Sequence, residues 1–264
     1  MATSEGLRMF LTYDYMDQNN NWGNWGTAAS SLNDDKIIRT GFYTLGLQDM
    51  FSREWGVMVE APVWNRYFKT IDDAGNPASV THTSLGDLRL LGMYTGISED
   101  MSTAVQFGLK LPTGPFNQSL MDRDTQIGSG TTDLLLGGYQ MRQYDTWGWF
   151  GQLLWEHAFN SREEYRPGDS FDLTAGVHYD GLQSRFSIVP ILQLEASFRG
   201  MDSGSNADPG NTGYDRLYIS PGIEANLFEG MQLYANVRVP VLTHVNGYQL
   251  VAPALFEVTL GYQL

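Results

Sequence analysis

Along the last nine positions of the chain, Phe256, Val258, Leu260, Tyr262 and Leu264 alternate with Glu257, Thr259, Gly261 and Gln263. Successive side chains of a strand point to opposite faces, so this segment reads as a strand with one apolar and one polar face. The same stripe recurs about a dozen times at spacings of roughly 20 residues, the sequence form of a transmembrane β-barrel. It begins with Leu7, Met9, Leu11, Tyr13 and Tyr15 and returns at Tyr43–Leu47, Trp55–Val63, Leu88–Tyr94 and Val105–Leu111. Further stripes follow at Trp147–Trp155, Phe171–Tyr179, Phe186–Phe198, Leu217–Leu227 and Leu233–Val239. The sixth stripe is ambiguous, because Leu135 stands between Leu134 and Leu136.

The connections alternate in length. Long polar segments span Asp17–Asp35, Lys69–Thr83, Pro112–Gly130, Asn160–Ser170 and Arg199–Gly213, with a last loop expected around Asn246-Gly247. Tight connections lie at Gln48–Glu54, Ser98–Asp100, Gln143–Thr146, Gly181-Leu182-Gln183 and Glu229-Gly230. Long loops at one end and short turns at the other are the habit of outer-membrane barrels, with both termini on the short-turn, periplasmic side. Each stripe is about nine to eleven residues long, enough to cross a bilayer at a tilt and longer than the five or six of an average soluble strand. Tyr13, Tyr15, Trp55, Tyr94, Trp147, Trp149, Trp155, Tyr179, Phe186 and Tyr262 fall near stripe ends, where aromatic girdles sit. The expected fold is all-β: a single transmembrane antiparallel up-and-down barrel of about twelve strands over residues 1–264.

Composition narrows the reading. Hydrophobic residues make up 42% of the chain, yet mean hydropathy is −0.28, as fits apolar stripes turned outward around a wet lumen. No run of 18 apolar residues exists, which excludes a transmembrane helix. Cysteine is absent, so disulfide frameworks and thiolate metal sites are ruled out; passage through an oxidising periplasm fits. A net charge of −14 argues against nucleic acid as a partner. Met1 to Glu5 shows neither a charged n-region nor an apolar h-region, so an exported chain would already have lost its signal peptide.

Four stretches resemble a known family. Gly108-Leu109-Lys110-Leu111-Pro112-Thr113-Gly114 resembles the G-x-K-L-P-T-G element of the outer-membrane transporter family named after the phenol meta-cleavage pathway. Gly86-Asp87-Leu88, Val59-Glu60-Ala61-Pro62 and Gln126-Ile127-Gly128-Ser129-Gly130 through Asp133 are similar to further elements of it. The matches cluster between Trp55 and Tyr139; elsewhere only the barrel pattern agrees. The resemblance implies an outer-membrane channel for small solutes, aromatic or hydrophobic compounds among them. One departure is Leu264, where barrel-assembly signals usually carry Phe or Trp.

Nearly all strand charges fall on the parity opposite the apolar stripe. Asp14, Glu60, Asp87, Asp133, Glu156, Asp172, Glu195, Glu224 and Glu257 would face the lumen, as would Arg8, Arg66, Arg89, Lys110, Arg216 and Arg238. Segregation of this kind avoids the ~2–4 kcal/mol cost of Arg or Lys at the lipid midplane. Neighbouring strands set opposite signs side by side: Glu60 by Arg89, Lys110 by Asp133, Arg238 by Glu257. The candidate pore-lining set is Glu60, Asp87, Arg89, Lys110, Asp133, Glu156, Glu195, Arg238 and Glu257. Two accounts stay open, a cross-strand ion-pair lattice around a narrow pore and solvated charges that merely fill the barrel. A long loop folded inward would also narrow the bore. Because lumen acids outnumber bases, selectivity should lean mildly towards cations.

Catalysis finds little support. An outer-membrane lipid hydrolase needs a Ser–His–Asn set on its lipid face, and His157 has outward parity but no serine two residues on. His82, His178 and His244 are scattered and make no metal site. Asp202-x-Gly204-x-Asn206-x-Asp208 lacks the closing Glu of a calcium loop and reads as a flexible acidic surface loop. Gly128-Ser129-Gly130 has no helix after it and is not a phosphate loop. No cofactor and no metal are expected. The expected protein is a monomeric, passive, porin-like channel of a Gram-negative outer membrane. Its partners would be membrane lipid, small-molecule solutes and, during insertion, the barrel-assembly machinery. The rival is a closed barrel with a structural, adhesive or surface-recognition role carried by acidic outer loops.

Overall fold

A computed structural model describes residues 5–72, 74–182 and 187–264. Among the described residues there are fifteen strands: β1 (Gly6–Gln18), β2 (Asn20–Asn24), β3 (Gly26–Thr27), β4 (Ile37–Met50), β5 (Trp55–Ile71), β6 (Pro77–Leu85), β7 (Leu88–Tyr94) and β8 (Thr103–Leu111). They continue with β9 (Asp133–Tyr144), β10 (Trp147–Ala158), β11 (Ser170–Tyr179), β12 (Ile188–Arg199), β13 (Tyr214–Phe228), β14 (Met231–Val251) and β15 (Leu255–Gln263). Twelve of them, all but β2, β3 and β6, form one antiparallel ring. The ring shuts where β1 pairs with β15, Leu11 opposite Leu260 and Asp14 opposite Glu257. Closure leaves the ring itself without an edge strand, which lets its sheet stand in hydrocarbon where no water can satisfy free N–H and C=O groups.

The apolar parity faces outward. Leu11, Leu45, Val57, Phe107, Leu173, Leu194 and Val258 all stand exposed, Leu45 at 58%. Such a belt in water would be an aggregation surface; around a closed barrel it is the lipid contact. Girdle aromatics meet as tilted pairs where register sets them opposite one another: Trp55 with Tyr94 (4.6 Å) and Trp147 with Tyr179 (4.8 Å) at the short-turn end, Tyr13 with Tyr43 (4.9 Å) towards the loops. The sixth stripe resolves: Leu135 is fully buried inside, while Leu134 and Leu136 belong to the row that opposes outward Leu109 and Phe107.

Several segments expected as loops are strand. Asn246 and Gly247 lie inside β14, and the final loop is instead Ala252–Ala254. The residues form an irregularity between Val245 and Tyr248, with Gly247 at φ +57° and the Asn246 amide bonded to the Thr212 carbonyl at 3.0 Å. Beyond it β14 continues by pairing with β2, drawn from the polar segment Asp17–Asp35. Likewise Lys69–Thr83 is mostly a hairpin of β5 and β6 reaching past the membrane, Lys69 opposite Ser79. Asn and Gly favour turns, but they are tolerated in strands wherever partner backbone is available. Asp202 also departs from expectation. It is 1% exposed and accepts hydrogen bonds from the Tyr165 hydroxyl (2.7 Å), the Gly168 N–H (2.8 Å) and Arg199 (3.0 Å), tying two outer loops together. Gln183 and Phe186 lie outside the described residues.

Candidate functional site: the barrel lumen

The inward parity of the middle strands carries two ionic clusters on opposite walls. On one, Lys110 of β8 bridges Asp133 of β9 and Glu156 of β10, and Glu156 also meets Arg89 of β7 at 3.3 Å. On the other, Arg238 of β14 pairs with Glu257 of β15, with Glu195 of β12 at 3.1 Å and with Asp14 of β1 at 3.9 Å. The carboxylates thus share their cations, which lowers the cost of holding so many acids in a confined space. Glu60 is registered opposite Arg89 and lines the same inner chamber without an ion pair of its own among those described.

Asp87 has different partners. Its carboxylate accepts the N–H of Gly114 (3.0 Å), the N–H of Ser129 (2.8 Å) and the Ser129 hydroxyl (2.8 Å), all from the base of the loop 112–132. Around it the four stretches that carry the family resemblance converge. Thr113 bonds the Gly86 carbonyl at 2.7 Å and receives the Leu88 N–H at 3.0 Å, and Gly86 N–H reaches the Pro62 carbonyl at 2.7 Å. Gly114 and Gly128 pack backbone to backbone, so a Cβ on Gly128 would overlap the Gly114 peptide. Those motifs build the hinge of an inward-folded loop.

The loop is held across the bore. Arg66 of β5, buried, donates Nε to Thr40 (2.9 Å) and Nη1 to the carbonyls of Thr125 and Gln126. Met121 at the loop tip packs with Ile38, Phe68 and Leu250 on the inner wall. Arg123 lies between the rings of Tyr165 (4.4 Å) and Phe116 (4.9 Å) and donates to the Ser129 carbonyl at 2.6 Å. Parity in the sequence assigned Arg66 to the lumen. Nothing local in Met121, Arg123 or Tyr165 marks them as lumen residues, since loop placement depends on tertiary contacts alone.

Two cavities lie either side of this loop, about 630 Å³ on the outer side and about 560 Å³ on the inner. Met16, Arg66, Arg123, Asp124, Arg199 and Tyr214 line both, and so mark the neck between them. In the outer chamber, burial and the neighbouring Asp122 push the Asp35 carboxyl up to about 7. Enclosure by the barrel, then Asp122 and Asp202, lifts Asp124 to about 6, although its side chain is open to the chamber. Outside the barrel, His157 bonds Asp169 at 2.8 Å, lies near Arg166 at 3.2 Å and stacks on Trp155 at 5.3 Å.

No protein-family model matches the chain, and no curated protein matches it in sequence. Solved structures do. An outer membrane channel from Pseudomonas putida F1 superposes with a TM-score of 0.71 at 12% identity, over 100% of this chain and 97% of that one. The β domain of the Bordetella autotransporter BrkA gives 0.55 at 11% identity, covering 99% and 100%. The translocator domain of the autotransporter NalP from Neisseria meningitidis gives 0.52 at 11%, covering 99% and 89%. At these identities the likeness is one of fold. With its closed ring and outward apolar belt, the chain is an outer-membrane β-barrel of Gram-negative type.

Proposed function

We propose that this barrel is a passive channel for small solutes, aromatic or hydrophobic compounds among them, and that it acts as a transporter rather than an enzyme. Supporting this most directly is the pair of chambers meeting at a neck inside the ring, bounded by an inward loop. One solved structure of similar fold is described as an outer membrane channel. Glu60, Asp87, Arg89, Lys110, Asp133, Glu156, Glu195, Arg238 and Glu257 are the proposed lining, with Asp87 acting through the loop it anchors. Membership of the meta-cleavage-pathway transporter family, suggested by the four sequence stretches, is part of this proposal. So are a one-piece barrel over the whole chain and insertion by the barrel-assembly machinery.

Single-channel recording in planar bilayers tests it. Discrete KCl openings are expected, with mild cation preference in a salt gradient. Persistent silence would favour the closed, surface-recognition barrel, a reading that gains weight from how firmly Arg66 and Asp87 pin the loop across the bore.

A further inference from the structure

Towards the short-turn end, lumen-facing positions pair large side chains with glycine on the next strand. Phe10 of β1 is registered between Gly46 of β4 and Gly261 of β15. A Cβ on Gly46 would overlap the far edge of the Phe10 ring. On the opposite wall, with five ring strands between β1 and β10 either way round, Phe150 is registered with Gly176 of β11. There too a Cβ would run into the ring. Gln106 of β8 lies over Gly137 of β9, 2.5 Å from where a Cβ would stand, and His178 covers Gly148 in the same way. Unstrained carbon contacts lie at about 3.5–4.0 Å, so in each pair the large side chain occupies the space a neighbour's side chain would take.

Lipid-facing glycines are mixed: a Cβ on Gly92 would come within 3.0 Å of the Phe107 ring, whereas two others stand clear. A Cβ on Gly138 or Gly151 would meet nothing nearer than 3.8 or 3.9 Å. Glycine weakens a strand wherever it sits, and a glycine that admits a neighbour's bulk serves shape instead. A twelve-stranded bore lies between eight-stranded barrels filled by side chains and open porins. Phenyl rings aimed at the axis from facing walls would fill it.

We propose that Gly46, Gly137, Gly148 and Gly176 are recesses that hold Phe10, Gln106, His178 and Phe150 flat against the wall, and so set the bore of the periplasmic half of the lumen. The inference rests on the channel reading and adds the residues that determine its calibre. Filling a recess leaves the ring one place to go, the lumen. Gly46→Val and Gly176→Val are expected to lower single-channel KCl conductance by about two-fold or more, as bore limits flow. Gly151→Val, on the lipid face, should conduct as the parent does. Removing the displaced ring should restore flow, so the Phe10→Ala, Gly46→Val double variant should conduct at or above the parent level. Heat-modifiable gel migration checks folding, and Gly46→Ala takes the place of Gly46→Val if the latter does not fold. A folded Gly46 variant with unchanged conductance, or a double variant as low as the single, overturns the recess. A silent parent protein overturns the channel reading itself, and the bore with it.

Discussion

At the scale of single residues, the organising quantity is the parity of a side chain along its strand. Leu45 sits mid-stripe on β4, 58% exposed, flanked outside by Tyr43 and Leu47. Replacing it with Arg puts a charge near the hydrocarbon midplane at a cost of about 2–4 kcal/mol. Denaturant titration of the protein folded in lipid vesicles should register that loss, whereas Thr44→Arg, facing the lumen, should cost less. Equal costs at both positions would remove the basis for assigning inside and outside. This parity was legible from sequence alone, down to Glu60 opposite Arg89 and Lys110 opposite Asp133. Ionic partners were legible only between adjacent strands. Arg89 reaches Glu156 across two intervening strands, and Arg238 reaches Glu195 across one, because curvature brings inward side chains together that a flat sheet keeps apart. Chain order carries no record of that curvature.

At the scale of elements, strands were readable by periodicity and loops were not. β2, β6 and the far half of β14 stand beyond the membrane, where neither face needs to be apolar, so the alternation that reveals a spanning strand is missing. The inward loop was foreseen only as an option, and its anchors came from residues whose sequence signal was a motif of unknown purpose. Asp87 now supplies the purpose: one carboxylate gathers three donors from the two legs of the loop. Hydrogen bonds to a charged acceptor contribute about 1.5–3 kcal/mol each, so Asp87→Ala should release the loop while leaving the barrel wall intact. Expected consequences are faster proteolytic cleavage within residues 112–132 and a larger, noisier conductance, with unchanged heat-modifiable migration. A variant as protease-resistant and as quiet as the parent would mean that Arg66 and the Met121 cluster hold the loop unaided.

At the scale of the whole molecule, the first and third outer loops meet in a way that is sensitive to proton concentration. Asp35 comes from the first, Asp122 and Asp124 from the third, and Asp34, Asp202, Arg66 and Arg199 surround them. With the third loop inward, burial first and the nearby Asp122 second raise the Asp35 and Asp124 carboxyls to about 7 and about 6. A loop swung outward into water would return both to about 4. The inward arrangement therefore holds more protons than the outward one between pH 4 and 7, and linkage fixes the direction: protonation favours it, and its advantage shrinks as pH rises through that window. If the loop sets the neck, conductance should be lowest near pH 4 and should rise towards pH 8. Asp35→Asn with Asp124→Asn should flatten the profile near its acidic limit, since the amides cannot ionise. A rise that survives in the double variant would assign the titration elsewhere in the lumen, whose acids already share Lys110, Arg89 and Arg238 and have less repulsion to relieve. The outer loops would then be a fixed collar, and the neck would owe its width to the wall alone.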